Sequence, residues 1–215
     1  MRTGIARSKL APRNCPILRG AIFPAVIHPW HDLAPGKHPP EVVTAVIEIP
    51  GGGRNKYELD KETGLFRLDR VLYSAVHYPG DYGFIPRTLH RDGDPCDILV
   101  LIKEPTFTGC IIDVRPVGML RMLDLGIPDD KIIAVPAQDP FQHEYFDIAD
   151  IPGHVLKEIE HFFQIYKDLE GKRVQTVGWE KSEIAMREVS DVIRSYGERY
   201  GTGVASHSHR IARGA

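Results

Sequence analysis

The sequence predicts an α+β protein that is mainly β, a closed or nearly closed antiparallel barrel with its helices late in the chain. Short β-branched runs recur between Gly/Pro turns, they do not alternate regularly with helical patterns, and two long amphipathic stripes fall only after residue 150. There is no internal repeat. The chain therefore reads as one folding unit.

The strands follow in order. Residues 41–49 are β-branched and end at Pro50, where Gly51-Gly52-Gly53 opens a loop. That triple glycine lacks the Lys-Ser or Lys-Thr of a phosphate-binding P-loop and no helical pattern follows, so a flexible turn accounts for it. Residues 55–60 alternate, with Lys56 and Glu58 on one face and Tyr57 and Leu59 on the other. Thr63-Gly64 signals a hairpin into residues 65–70, and further strands are expected at 82–85, 98–102, 110–120, 131–136 and 173–179. In residues 152–170, Val155, Leu156, Ile159, Phe162, Phe163, Tyr166 and Leu169 fall at helical spacing, with Pro152 suited to a helix's first turn. Residues 182–200 give a second stripe through Ala185, Val189, Val192, Ile193 and Tyr196. Both helices are expected to cover the barrel.

At 215 residues, with 42% hydrophobic and 26% charged residues, the chain suits a single domain with a sizeable core. No uninterrupted apolar segment approaches the roughly 20 residues needed to cross a bilayer, so no membrane partner is expected. A net charge of −2 gives no general attraction to nucleic acid, and anion binding must come from locally placed Lys and Arg. Cys15, Cys96 and Cys110 are odd in number and match no zinc pattern, which points to a reducing compartment, with Cys96 a small apolar filler. Residues 1–28 are expected to form a basic extension, 29–199 a single folded domain, and 200–215 a tail that frays. Residues 1–27 contain no acid, as in an organelle transit peptide, so the cytoplasm is expected with plastid or mitochondrion as the alternative. His207 and His209 in the tail are weak metal candidates.

Chemistry concentrates in two loops. Asp92-Gly93-Asp94-Pro95-Cys96-Asp97 places three carboxylates in six residues, on a Gly/Pro bend ahead of the apolar run 98–102. Such a loop suits hard cations that take oxygen ligands. Asp124-Leu125-Gly126-Ile127-Pro128-Asp129-Asp130-Lys131 repeats the arrangement before residues 132–135. If both face one cavity, the acids repel one another unless cations compensate them. Lys56, Arg70, Lys131 and Lys167 lie near strand and helix ends, beside the motif Tyr78-Pro79-Gly80-Asp81-Tyr82-Gly83. Many carboxylates combined with several cations suit a polyphosphate and its metals. An EF-hand is excluded because Gly93 is at the second loop position and strands flank the loop. A nucleic-acid-binding barrel would need an aromatic and basic face, whereas this mouth is acidic.

These elements together resemble the soluble inorganic pyrophosphatases of the Mg2+-dependent OB-barrel family. They are Glu48 in Ile-Glu-Ile-Pro, Lys56-Tyr57-Glu58, Asp69-Arg70, the Tyr78 to Gly83 motif, the acidic hexapeptide, Asp124 with Asp129 and Lys131, and Tyr166-Lys167, in order between residues 29 and 199. The resemblance implies an OB-like five-stranded barrel with extra hairpin strands, flanked by two C-terminal helices. It implies pyrophosphate as substrate and several Mg2+ ions per site, with Mn2+ or Zn2+ able to substitute, and a homo-oligomer of six subunits or fewer.

The resemblance also implies roles. Asp92, Asp97, Asp129, Asp124 and Glu48 would hold metals, and Asp94 would take a proton from a water bridging two of them. Lys56, Arg70, Lys131, Tyr166 and Lys167 would bind phosphate oxygens. Glu58 and Tyr78 would support the network, and Tyr82 would orient groups near the first metal. The chain departs from the family at Gly126-Ile127-Pro128, where Gly-Glu is common, which removes an outer acid. The histidines of residues 28–32 are expected to be structural or interfacial. A catalytically silent metal- or phosphate-binding module is the competing reading, and it predicts loss of the base or of a bridging ligand, yet Asp94 and Asp97 are both present.

Overall fold

In the computed structural model the described residues are 27–201, and they form nine strands and two α-helices. The basic stretch before Ile27 and the tail with His207 and His209 lie outside the described residues. The elements are β1 (Val43–Ile49), β2 (Asn55–Leu59), β3 (Phe66–Val71), β4 (Asp81–Ile85), β5 (Cys96–Val100), β6 (Ile111–Asp124), β7 (Ile127–Pro128), β8 (Lys131–Pro136), α1 (Gly153–Ile165), β9 (Val174–Lys181) and α2 (Ser182–Tyr200). Strands β1, β4, β5, β8 and β6 pair in that order, and β6 returns to β1. The five-stranded barrel is thereby closed.

Four of its seams are antiparallel, while β5 and β8 run parallel with Ile98 opposite Ile132. This parallel seam decides where the chemistry falls. The two acidic loops precede β5 and β8, so parallel strands bring both loops to the same end of the barrel. Hairpin β2–β3 forms a separate two-stranded sheet, and β9 adds to β6 outside the ring.

Alternation assigns the two faces of the central strands. Ile98 and Val100 of β5 and Ile132 and Ala134 of β8 share a core cluster with Ala185, Val189 and Val192 of α2. Leu99, Ile133 and Val135 share the other cluster with Tyr78, Tyr82 and the α1 residues Ile159, Phe162 and Phe163. Fully burying each such aromatic ring contributes about 1.5–3 kcal/mol. Along β1 the alternation is interrupted by a bulge between Ile47 and Ile49, which places Ile47 in the α2 cluster and Ile49 in the α1 cluster. Glu48 sits at this bulge. Gly83 of β4 permits the close approach to β1, because a Cβ there would lie 1.9 Å from the Val46 carbonyl oxygen.

Several expected boundaries shift. Strand β6 continues to Asp124 rather than stopping near residue 120, because β9 pairs with its second half as far as Asp124. Helix α1 ends at Ile165 instead of running to residue 170, and Pro152 stands before the first turn as its N-cap. After Lys167 the chain makes a 3-10 turn, Asp168–Glu170, closed by Gly171 at φ 71°, a left-handed conformation that glycine adopts without strain. Leu169 therefore leaves the apolar stripe and is 68% exposed. Helix α2 spans the expected residues. Cys96 is buried in the core, as a filler should be.

The N-terminal arm wraps the end of α2. Trp30 is buried, its indole N–H donates to the Thr88 carbonyl at 2.9 Å, and His31 Nδ1 pairs with the Tyr196 hydroxyl at 2.6 Å. The arm's histidines thus have a structural use. The stem of the first acidic loop is also tied to α2. Leu89 N–H donates to the Val192 carbonyl at 2.9 Å, and His90 Nε2 faces Glu188 Oε1 at 3.5 Å, a charge attraction without hydrogen-bond geometry.

Glu188 holds the His90 imidazole above its ordinary pKa of 6.5, against the opposing effect of burial. His90 in turn is the leading cause that holds Glu188 below 4.5. The pair's stabilisation is complete only above 4.5 and below 6.5, and it is lost as pH rises through the folded value of His90 or falls through that of Glu188. An imidazole NMR titration should place His90 above 6.5. Glu188→Gln should lower that value, and an unchanged midpoint would show that the pair has no energetic weight.

Candidate active site

Both acidic loops open on one cavity of about 440 Å3, and β1, β2, β4 and the end of α1 complete its wall. From the first loop come Asp92, Asp94 and Asp97; from the second come Asp124, Asp129 and Lys131. Glu48, Lys56, Glu58, Tyr78, Tyr82, Tyr166 and Lys167 also line it. The loop is shaped by Gly93 at φ 89° and by an Asx turn in which Asp94 N–H donates to Asp92 Oδ1 at 3.0 Å. Of the expected residues, Arg70 alone is not brought to the wall. It stands opposite Lys56 across the β2–β3 hairpin, paired with Asp69 and Glu170.

The acids do not converge as bare neighbours. Among the described residues no three acid, His or Cys side chains gather into a metal-ligating group, because lysines stand between them. Lys131 pairs with both Asp97 and Asp129, Lys167 with Asp124, and Lys56 with Glu58. Mutual repulsion of carboxylates in one cavity favours this interleaving. Burial works against a charged Lys131, yet Asp97 and Asp129 outweigh it and hold the ammonium far above its usual range. Asp129 shows the reverse balance: burial pushes it up, but Lys131 wins and keeps it below 3.8.

Glu48 has no such cation in contact. Burial, with Asp97 adding to it, pushes its carboxyl up to about 8, while its Oε1 accepts the Leu59 N–H at 2.7 Å. Burial likewise keeps the phenols of Tyr82 and Tyr78 protonated. The Tyr82 ring lies 5.9 Å from the Lys131 ammonium, within reach of a cation–π attraction. The cavity thus combines proton-retaining donors, fixed cations and carboxylates, the inventory for binding a highly charged anion together with its metals.

A profile of the family described as inorganic pyrophosphatase matches residues 45–197. The chain belongs to the inorganic pyrophosphatase family. It is 50% identical over 173 residues to soluble inorganic pyrophosphatase 2 of Chlamydomonas reinhardtii, covering 80% of this chain and 90% of that protein. It is 52% identical over 159 residues to the inorganic pyrophosphatase of Geobacillus stearothermophilus, covering 74% and 96%. The crystal structure of inorganic pyrophosphatase from Thermus thermophilus superposes with a TM-score of 0.76 at 47% identity, over 78% of this chain and 98% of that one. As a pyrophosphatase the chain is a hydrolase of pyrophosphate, and the family implies a divalent metal cofactor.

The residues of this pyrophosphatase fit such a metal. Asp124 Oδ1 is buried without a hydrogen-bond partner among the described residues, and the donor set is entirely carboxylate oxygen. The elevated Glu48 is a second group that a cation would relieve. Two charged neighbours of the expected site residues were not legible in the sequence. Lys61, in the turn between β2 and β3, pairs with Asp94 and lies 5.6 Å from the Trp30 ring. Glu170, in the turn after α1, holds Arg70. Neither carries a local signal, since a lysine in a hairpin turn and an acid after a helix are both ordinary surface residues.

Removing one member of a buried ion pair leaves the others uncompensated, at a cost of about 3–5 kcal/mol. Lys131→Met should therefore lower unfolding stability by about 3 kcal/mol or more in chelator, as read by urea denaturation at pH 7. A loss below about 1 kcal/mol would show that Asp97 and Asp129 do not depend on it.

Proposed function

We propose that the protein hydrolyses pyrophosphate to two orthophosphates by direct attack of water on phosphorus, with Asp94 as general base. The observation that carries the proposal is the opening of both acidic loops, interleaved with Lys131 and Lys167, on a single cavity. Mg2+, or Mn2+ or Zn2+ in its place, would be held by Asp92, Asp97, Asp129, Asp124 and Glu48, and would supply charge neutralisation and acidify the water between the ions.

The chain's own residues do the rest. Asp94 stands on a half-exposed loop where it can accept the proton of the attacking water, and Lys61 orients its carboxylate. As the new P–O bond forms, the bridging P–O bond breaks and its electron pair leaves with the second phosphate. Lys56, Arg70, Lys131 and Lys167 and the Tyr166 hydroxyl bind phosphate oxygens and spread the charge of both halves. Tyr82, kept protonated by burial, presents a hydroxyl that can donate a hydrogen bond within the cavity it lines. Glu58 holds Lys56, and Tyr78 packs against Tyr82 with ring centroids 5.3 Å apart. No side chain is needed as a nucleophile. Burial, followed by Asp97, pushes the Cys96 thiol well up, which supports leaving it out of the chemistry.

Residues 29–199 constitute the catalytic domain in this reading. The free thiols of Cys96 and Cys110 support a reducing compartment, the cytoplasm, with plastid or mitochondrion as the alternative. A homo-oligomer of six subunits or fewer belongs to this reading, as the family resemblance implies.

Purified protein should release two orthophosphates per pyrophosphate with Mg2+ and none in chelator. Asp94→Asn should lower kcat by about 100- to 10,000-fold without changing the thermal midpoint. Release no greater than a blank by the wild type in Mg2+ would sink the proposal. Retention of full kcat by Asp94→Asn would remove Asp94 from the role of base.

A further inference from the structure

The β2–β3 hairpin shares no ladder with the barrel, so the cations it carries depend on tethers between side chains and backbone for their position. Asp94 pairs with Lys61 at its turn, and two further acids hold its strands. Glu48 accepts the Leu59 N–H at 2.7 Å, and Glu170 Oε1 accepts Arg70 Nε at 2.8 Å. Glu170 is only 7% exposed, and its other oxygen faces Lys172 Nζ at 3.5 Å. Asp69 takes Arg70 Nη1, so two atoms of the guanidinium fork are committed and its plane is set.

Glu170 belongs to the turn that follows Tyr166 and Lys167. Lys167 reaches the cavity and Asp124, while three residues later Glu170 reaches the hairpin. One turn, closed by Gly171, thereby places a cation on one wall and fixes the cation of the opposing hairpin. A charge-assisted bond from a shielded carboxylate to a guanidinium is directional, so losing it frees the fork to rotate.

We propose that Glu170 is a positioning residue for pyrophosphate: it fixes the Arg70 guanidinium in the orientation that receives a phosphate oxygen, without touching the substrate itself. The inference rests on the reading of Arg70 as a phosphate ligand given above. It also explains why Arg70 lies beside the cavity wall and not in it: the fork is aimed from behind by an acid on another element.

A double-mutant cycle separates this role from simple structural support. Steady-state kinetics with pyrophosphate and Mg2+ compare wild type, Glu170→Ala, Arg70→Ala and the double variant. Glu170→Ala should raise KM about tenfold with kcat changed less than about threefold, the signature of lost binding common to ground and transition states. In the Arg70→Ala background the same change should add nothing to KM. An equal rise in both backgrounds, or no rise with Arg70 present, overturns the proposal for Glu170 alone. An Arg70→Ala variant with unchanged KM removes Arg70 from the substrate and the inference with it. If Glu170→Ala does not fold by circular dichroism, Glu170→Leu, which keeps more of the volume but offers no acceptor, carries the same cycle to the same outcomes.

Discussion

Lys131 is 2% exposed, and its ammonium lies between the carboxylates of Asp97 and Asp129. Taking such a charge out of water costs several kcal/mol, which only close, well-placed counter-charges offset. The parallel pairing of β5 with β8 provides that placement, because it sets Asp97 at the start of one strand beside Lys131 at the start of the other. The same pairing turns both acidic loops toward one end of the barrel. Remove the compensating cation and two carboxylates face each other across a half-enclosed cavity; retain it and the cavity holds acids and cations side by side, as a metal–polyphosphate substrate requires.

Around this centre the remaining charges are arranged by elements that differ in rigidity. Lys131 and Asp97 are carried by the barrel's own strands, whereas Lys56, Glu58 and Arg70 ride on a hairpin outside the ring. Glu48, turned inward by the β1 bulge, ties that hairpin through Leu59, and Glu170 ties it through Arg70. The helix end contributes Lys167 and Tyr166 because α1 stops at Ile165 and the following turn redirects the chain. The barrel strands thus hold Asp97 and Lys131, and tethers from outside the hairpin hold Lys56 and Arg70.

Much of this was legible in the residues. The Gly/Pro bends among closely spaced acids announced both loops, and alternation in residues 55–60 put Lys56 and Glu58 on the face that meets the cavity. What was not legible is tertiary. No local pattern distinguishes a parallel from an antiparallel seam between two short apolar runs, and the apolar spacing continued through Tyr166 and Leu169 although the helix had ended. Lys61 and Glu170 have roles only through residues distant in sequence, Asp94 and Arg70. Ile127 forms the short strand β7 with Pro128 and leaves a 58% exposed apolar side chain on the cavity's lining. Pairing of Asp124 with Ile127 keeps that loop in register.

The charge balance of the site turns on Lys131. A 15N-detected NMR titration of its side-chain ammonium in chelated protein measures it directly. Lys131 should still be protonated at pH 10.5, the ordinary lysine midpoint, because Asp97 and Asp129 outweigh burial. A midpoint below 10.5 would contradict it, since burial would then dominate and the two acids would not be compensated.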